Sequence, residues 1–364
     1  MTENKIRVCV VGTVGVPAKY GGFETLVEYL IEYIGNEVEF VVFCSSKIYD
    51  SKPEFYKGAK LRYINLYANG IQSILYDIVS LIKSRKSSDI ILILGTSGCI
   101  ALPVFKRFTK ARIVVNVDGI EWRRDKWGRL TKAFLRLSER MAVRYADQIV
   151  ADNQEIRNIL FKNYNKDSNV IAYGGCHVKR LEMKDDLKLK FPFLSKDYVF
   201  KVCRIEPENN IELILEAFTE INFPIVIVGN WNNSEHGKEL FKRYSKFEHV
   251  HLLDPIYERE ILDQLRSNCC LYIHGHSAGG TNPSLVEAMY LKLPIIAFDV
   301  KFNRITTNNE ALYFKGKIDL VNLFRNIRSE ELDAIADKMY HYAKENYTWK
   351  KISNLYLEMF DDTV

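Results

Sequence analysis

Residues 5–34 read KIRVCVVGTVGVPAKYGGFETLVEYLIEYI, and this stretch indicates the fold. It opens on a short apolar run, passes through a glycine-rich loop and ends on an amphipathic segment with helical periodicity. A continuously apolar strand that leads through a loop into a helix is the unit of a parallel sheet covered by helices on both faces. The stretch therefore predicts an α/β domain.

The same alternation of apolar strands and amphipathic helices continues to about Tyr173. It is interrupted by a polar, lysine-rich stretch over 177–197 and restarts at Tyr198. A length of 364 residues also favours two domains. We therefore predict two doubly wound Rossmann-like domains that face each other across a cleft. Ligands of such sheets bind at the carboxyl ends of the strands, so the loops that follow strands are the candidate sites.

Composition excludes several protein classes. Apolar residues are 47% and charged residues 27%, as in ordinary globular proteins. The first apolar run begins only at Ile6, and the most apolar stretch, Ile90–Phe105, is too short and too broken to span a bilayer. We expect no signal peptide and no transmembrane helix. The seven cysteines show no C-x-x-C spacing, so we expect free thiols and no zinc site.

The net charge of +5 is unevenly distributed. Residues 101–144 alone hold 12 basic and 4 acidic residues. Such a local excess predicts an anionic partner or surface. Within it, one predicted helix carries a basic stripe at every fourth residue, beside an apolar face, and basic residues and a tryptophan precede it. These residues, our candidates for an acceptor or membrane surface, are Arg123, Arg124, Lys126, Trp127, Lys132, Arg136, Arg140 and Arg144. A solvated face over ordinary core packing remains the alternative.

Two loops of the first domain are candidate sites. In the glycine-rich loop, Gly21 and Gly22 would let backbone N–H groups approach an anion at the start of the helix, with Lys19 as an added charge. A merely permissive turn is the alternative. In the loop NVDGIEW, residues 116–122, Asp118 and Glu121 could accept hydrogen bonds from sugar hydroxyls or act as a base. Asp118 could equally only shape a turn.

Two loops of the second domain carry stronger signals. Arg204 follows a strand in CRIEPENN, where it could fork onto a phosphate or form a surface salt bridge. In HGHSAGGTNPSLVEAM, Asn282 is a good N-cap and Pro283 suits the first helical position. Backbone N–H groups of this loop and of the first helical turn would then point at an anion. They belong to Gly279, Gly280, Thr281, Asn282 and Ser284. Glu287 lies one turn inside the helix, within reach of a ribose hydroxyl. We expect His274 and His276 to bond local backbone and not a metal.

These loops, in this order, resemble the retaining glycosyltransferases of family 4, which have the GT-B architecture. The resemblance covers nearly the whole chain. The phrases AKYGGFETLVE, NVDGIEW, CRIEPENN and HGHSAGGTNPSLVEAM resemble more specifically the bacterial β-1,4-rhamnosyltransferases of capsule and cell-wall polysaccharide synthesis. The resemblance implies an acceptor-binding domain over 1–178, a nucleotide-sugar-binding domain over 179–347 and a final helix over 348–364 that crosses back to the first domain.

Three positions depart from the family pattern. The family has two glutamates separated by seven residues, whereas this chain has Glu287 but Gly279 at the first position. The usual lysine after Pro-Glu is Asn209, and the usual histidine of the first domain is replaced by Asp118. The missing carboxylate at 279 leaves room at the sugar, which we interpret as a hint of a 6-deoxy donor.

The resemblance implies transfer of L-rhamnose from dTDP-β-L-rhamnose to a polyprenyl-diphosphate-linked glucose or GlcNAc. No metal and no other cofactor is expected. The catalytic candidates are Asp118, Arg204 and Glu287, and Asn209 and Tyr257 join the donor-binding set. The protein is expected in the cytoplasm, peripheral at the inner face of the cell membrane.

Other interpretations stay open at this point. The donor could be a UDP-hexose or GDP-fucose, and the enzyme could be a nucleotide-sugar epimerase of the same architecture. A catalytically degenerate partner subunit is also compatible with the changes at Asn209 and Gly279. Nucleic-acid binding is disfavoured, because no aromatic-rich recognition module accompanies the basic patch.

Overall fold

A computed structural model describes residues 5–19, 21–117, 119–124 and 127–362. Two compact units divide the chain. Unit 1 takes residues up to 123, residues 127–173 and residues from 349 onward; unit 2 takes Arg124 and residues 174–348. Two predicted site residues, Asp118 and Lys126, lie outside the described residues.

Unit 1 is built on an eight-stranded sheet. Its strands are β1 Ile6–Val11, β2 Val38–Ser45, β3 Phe55–Tyr56, β4 Ala59–Ile64, β5 Ile90–Leu94, β6 Arg112–Val117, β7 Gln148–Ala151 and β8 Asn169–Val170. The strand order is β3-β4-β2-β1-β5-β6-β7-β8, parallel except for the β3–β4 pair. Its first helices are α1 Gly22–Ile34, α2 Gln72–Ser84, α3 Leu102–Phe105, α4 Arg129–Tyr145 and α5 Gln154–Tyr164. Every residue of β5, IILIL, is buried, as expected of a central strand covered on both faces.

Unit 2 is built on a six-stranded, wholly parallel sheet of order β11-β10-β9-β12-β13-β14. Its strands are β9 Val199–Val202, β10 Ile225–Val228, β11 Val250–Leu253, β12 Leu271–His274, β13 Ile295–Phe298 and β14 Leu312–Phe314. Its helices are α6 Asp185–Lys190, α7 Ile211–Ile221, α8 Glu235–Tyr244, α9 Arg259–Ser267, α10 Pro283–Tyr290, α11 Lys301–Thr306, α12 Lys317–Asn326 and α13 Ser329–Asn346.

The last helix, α14 (Trp349–Asp361), belongs to unit 1. Trp349 stacks on Tyr29 of α1, with ring centroids 4.5 Å apart and planes 14° apart. The Nδ2 of Asn116, at the end of β6, donates to the hydroxyl of Tyr356 over 2.7 Å. The C-terminal segment therefore completes the core of the domain in which the chain begins.

The predicted α/β fold class is confirmed, and the sequence pattern located the long elements well. Short elements were missed, because four to six residues show no periodicity. The lysine-rich stretch over 177–197, expected as a polar connection, contains α6 and a 3-10 turn over Pro192–Ser195. Among the described residues, every helix is too short or too polar to span a bilayer.

Candidate active site

The loop after β9 is held together by two asparagine side chains. Asn209 Nδ2 donates to the carbonyl of Arg204 over 2.6 Å, and Asn210 Nδ2 donates to the carbonyl of Gly275 over 2.8 Å. Asn209 is 3% exposed. The residue expected in donor binding therefore has its amide occupied in shaping the loop, while the Arg204 side chain is exposed.

The loop after β12 lies directly against the loop after β9. A Cβ at Gly275 would fall 2.3 Å from the carbonyl oxygen of Asn209, so only glycine permits this approach. Ser277 donates both its N–H and its hydroxyl to the carbonyl of Glu208, over 2.8 and 3.0 Å. These bonds join Glu208, which precedes Asn209, to Ser277, which lies two residues before Gly279. The two loops are therefore held against each other.

The start of α10 has the expected capping geometry. The Oδ1 of Asn282 accepts from the N–H of Ser284 over 3.0 Å and from its hydroxyl over 2.7 Å, and Tyr272 donates to the same hydroxyl over 3.0 Å. The N–H of Ser284 is therefore used by the cap, and Thr281 is buried. The positive end of the helix dipole remains at this loop, which favours an anion there.

Glu287 is an ionised, largely buried carboxylate. Its Oε1 lies 3.0 Å from Nε2 of His177, and its Oε2 pairs with Nη1 of Arg266. Burial by itself raises the pKa of Glu287, but the charge of Arg266 and the hydrogen bond from His177 lower it from 4.5 to about 2. The carboxylate is thus oriented from two sides, with one lone pair on each oxygen left for a further donor.

Arg266 and His177 were not identified from the sequence. Arg266 is 2% exposed and also bonds Oδ1 of Asp263 over 2.8 Å. Oδ2 of Asp263 accepts from the N–H of Lys179 over 3.2 Å. No local motif signals this network, because its members lie up to 110 positions apart.

A basic cluster, Lys201 with His274 and His276, lies beneath the two loops. The imidazole rings stack, with centroids 4.3 Å apart and planes 11° apart. Lys201 Nζ, both ring nitrogens of His274 and Nδ1 of His276 are buried and make no hydrogen bond within the described part of the chain. The prediction that these histidines bond local backbone through their rings is therefore wrong, because the backbone around them is paired with loop side chains instead.

The glycine-rich loop of unit 1 is organised by carboxylates. Glu24 Oε1 accepts from the hydroxyl of Thr13 over 2.9 Å and from the N–H of Val14 over 2.7 Å. Gly21 has φ 116°, and a Cβ there would fall 2.1 Å from Glu24 Oε2. Lys19 donates to the carbonyl of Ile48 over 3.0 Å. That Lys19, Gly21 and Gly22 contact the donor stays a prediction.

The acceptor-side candidates of unit 1 surround Trp122. Its Nε1 donates to the buried Glu139 over 3.1 Å, and Arg123 and Arg136 lie over its ring at 5.2 and 5.1 Å. Glu121 is half-buried in the same 3-10 turn. Along α4, Lys132 is half-buried and three arginines of the stripe are exposed: Arg136, Arg140 and Arg144.

Three further candidates are scattered. Arg124 is only 7% exposed and lies 3.7 Å from Oε1 of Glu208, within unit 2, so it is not part of the exposed stripe. Trp127 is half-buried. Tyr257, between β11 and α9, is 67% exposed.

Comparison with protein families identifies both halves of the chain. Residues 184–346 match the family described as glycosyl transferases group 1, and residues 5–176 match a domain of unknown function, DUF1972. A search among curated proteins gives no match.

Several solved structures share the fold over nearly the full length. A sucrose-phosphate synthase from Thermosynechococcus elongatus is 14% identical, with a TM-score of 0.80 and coverage of 98% of this chain and 100% of that one. HepE from Anabaena, solved in complex with UDP-glucose, is 13% identical, with a TM-score of 0.74 and the same coverage. An E. coli structure titled trehalose-6-phosphate, bound with UDP-2-fluoro glucose, is 11% identical, with a TM-score of 0.71 and coverage of 97% and 98%. Residues 184–346 are therefore a group 1 glycosyltransferase domain behind an N-terminal DUF1972 domain, and the chain is a glycosyltransferase of the GT-B fold that takes its sugar from a nucleotide-sugar donor.

Proposed function

We propose that this glycosyltransferase transfers L-rhamnose from dTDP-β-L-rhamnose, with retention, to a polyprenyl-diphosphate-linked glucose or GlcNAc in capsular or cell-wall polysaccharide synthesis. The donor binds to unit 2 and the acceptor to unit 1. The enzyme works as a peripheral protein at the inner, anionic face of the cell membrane.

The observation that carries the donor proposal is the open space at Gly279. Its φ is +121°, a conformation that residues with a side chain rarely adopt, and a Cβ built there meets no atom within 4 Å. The loop therefore presents no carboxylate to a sugar hydroxyl at this position, and a residue with a side chain would be strained there. A deoxy sugar needs one hydroxyl acceptor fewer, which agrees with a site that lacks this carboxylate.

The leaving diphosphate would be stabilised by unit 2. As the bond between the anomeric carbon and the β-phosphate oxygen breaks, negative charge grows on that oxygen, and the exposed guanidinium of Arg204 and the N-terminus of α10 would supply positive charge there. Glu287, oriented by Arg266 and His177, would accept a hydrogen bond from the deoxyribose 3′-hydroxyl. Tyr257 would contact the base.

In a retaining reaction the acceptor hydroxyl attacks on the face from which the diphosphate departs. The departing phosphate oxygen would then take the proton of that hydroxyl, so no protein base is needed. Asp118 would position the donor sugar or the acceptor. Because no protein nucleophile is invoked, the protein's contribution in this proposal is positioning and electrostatic stabilisation.

The acceptor proposal rests on the basic surface of unit 1. The exposed arginines of α4 lie beside exposed apolar side chains of the same helix, Leu130 and Leu137. Basic residues next to apolar ones are typical of surfaces that bind anionic lipid headgroups or a lipid-linked diphosphate.

A transfer assay tests the proposal. Purified protein is incubated with polyprenyl-diphosphate-linked glucose or GlcNAc and with each of dTDP-rhamnose, UDP-glucose, UDP-galactose, UDP-GlcNAc and GDP-fucose, and products are identified by mass. A deoxyhexose gain only with dTDP-rhamnose is expected. A hexose gain would contradict the interpretation of Gly279 and retain the glycosyltransferase assignment.

UDP-glucose is the second candidate donor, because HepE was solved with it on a similar fold. Turnover of a nucleotide sugar without an acceptor would indicate an epimerase. Failure to bind any nucleotide sugar in calorimetry would favour a partner subunit without activity.

A further inference from the structure

The basic cluster beneath the donor loops is not used by the mechanism above. Lys201 and His274 are fully buried, and His276 is half-buried with its Nδ1 facing inward. Lys201 Nζ lies directly below the loop after β12, since a Cβ at Gly275 would come within 3.2 Å of it. The cluster therefore underlies the same backbone that leads to Gly279 and the start of α10.

Buried polar atoms in folded proteins nearly always have a hydrogen-bond partner. Leaving such an atom unpaired destabilises the folded state. Here four nitrogen atoms of three neighbouring side chains are unpaired among the described residues. The described residues supply no hydrogen-bond partner for them, which points to a polar ligand at His276, the half-exposed member of the cluster.

The charges around His276 are mostly positive. The cations that face it are Lys201 and Arg204, from β9 and its loop, and Arg124; the imidazole of His274 from β12 also faces it, but burial lowers the pKa of His274 well below its usual value, so that ring is neutral near pH 7. The thiol of Cys203 lies near Lys201, and the carboxylate of Glu208 lies beside Arg124. Burial and these cations lower the pKa of His276 well below its usual value, so the ring is neutral near pH 7.

A donor diphosphate would reverse this balance, because it brings two negative charges to the site between Arg204 and α10. We propose that His276 binds the donor's diphosphate as an imidazolium, taking up a proton from solvent when the donor binds. The inference rests on the proposed donor site. The proton is released again when the nucleotide leaves.

The sign of the pH dependence follows from linkage. Because the bound state holds the proton more tightly than the free state, donor affinity is highest at low pH and falls as pH rises between the two pKa values of His276. Between those two pKa values, donor affinity should fall by up to about tenfold per pH unit, which is the limit for the uptake of one proton.

Calorimetry in buffers of different ionisation enthalpy counts this proton. dTDP-rhamnose and UDP-glucose are the probes, because a diphosphate esterified at both ends has no terminal phosphate that titrates near neutrality. We expect uptake approaching about one proton per donor near neutral pH and decreasing at alkaline pH.

His276→Gln keeps hydrogen-bonding atoms but cannot titrate, so it should bind donor with no proton uptake. His251→Gln is the matched control. His251 lies on β11, two strands from β9, and is half-buried against Phe193. Its pKa is also lowered, and burial is the largest cause. It should leave the uptake unchanged. Lys201→Met removes one neighbouring cation, so it should move the pH range over which the proton is taken up to higher pH. This variant provides a test if His276→Gln fails to fold.

The outcomes separate the two levels of proposal. Donor binding without proton uptake, uptake that persists in His276→Gln or an unshifted window in Lys201→Met would each overturn the inference and leave the proposed function standing. If neither nucleotide sugar binds at any pH, the proposed donor site and the inference both fail.

Discussion

The two glycine-rich loops that follow β1 and β12 look alike in sequence but differ in electrostatics. In unit 1, a carboxylate of the following helix, Glu24, accepts a hydrogen bond from a backbone N–H of the loop, that of Val14. A second carboxylate, Glu28, accepts from the N–H of Ala18 over 2.8 Å. In unit 2 the loop after β12 lies above unpaired nitrogen atoms and beside Arg204. A glycine-rich turn at a helix start thus becomes an anion site only if the surrounding side chains leave its positive potential uncompensated.

Under the proposal, the donor diphosphate binds to unit 2, and the basic stripe of unit 1 binds an anionic surface. Four variants would test that division, and they are taken from the largest expected effect to the smallest.

Arg204→Ala should lower kcat/KM by about 10²–10³, because a charge aimed at the developing negative charge of the leaving group is lost. Steady-state transfer assays measure this. Arg243→Ala is the control, since Arg243 is an exposed arginine of α8 paired with Glu212. Near-normal turnover in the Arg204 variant would contradict the proposal that Arg204 stabilises the leaving diphosphate.

Reversing the stripe of unit 1, by Arg136→Glu, Arg140→Glu and Arg144→Glu together, should weaken binding to anionic vesicles about 10²-fold, at about 1 kcal/mol per basic residue. Co-sedimentation with phosphatidylglycerol vesicles measures it. Donor affinity should not change. Unaltered vesicle binding would mean that the stripe is only a solvated helix face.

Glu287→Gln should weaken donor binding about tenfold, since a hydrogen bond from the nucleotide loses its charged acceptor. Calorimetric titration with the donor measures it. Unchanged donor affinity would contradict the contact.

Glu287 also predicts a pH dependence of stability. Its folded pKa of about 2 lies below its ordinary 4.5, so its contribution to stability is complete above about pH 4.5 and is lost as pH falls toward 2. Between these two pH values, the unfolding temperature should fall less steeply with decreasing pH in Glu287→Gln than in the wild type. Parallel curves would mean that the ion pair with Arg266 contributes nothing.

Glu24→Gln should cost about 1–3 kcal/mol of unfolding free energy and leave donor affinity unchanged, because Glu24 satisfies buried donors of the unit 1 loop. Chemical denaturation and calorimetry measure the two quantities. A large loss of donor affinity would contradict this comparison of the two loops and would support the prediction that Gly21 and Lys19 contact the donor.

The sequence alone was sufficient for the fold class, the long helices and strands, and the loops worth inspecting. These properties depend on local patterns: continuous apolar runs such as β5, the period of α1, and the cap Asn282 with Pro283 before α10. Arg204 and Glu287 were selected as candidates because their positions follow from strand ends and helix starts, and their roles stay predictions.

Only the tertiary structure decided how each candidate is paired, because pairing depends on which groups meet in space, whether five residues apart, as Asn209 and Arg204 are, or 110 apart, as Glu287 and His177 are. It joined Glu287 to Arg266 and His177, turned the amide of Asn209 into a loop brace, and buried Arg124 beside Glu208. It also brought Lys201 beneath the histidines of another strand. Charge, burial and hydrogen bonding act through space, so no local pattern could have distinguished the compensated loop of unit 1 from the uncompensated loop of unit 2.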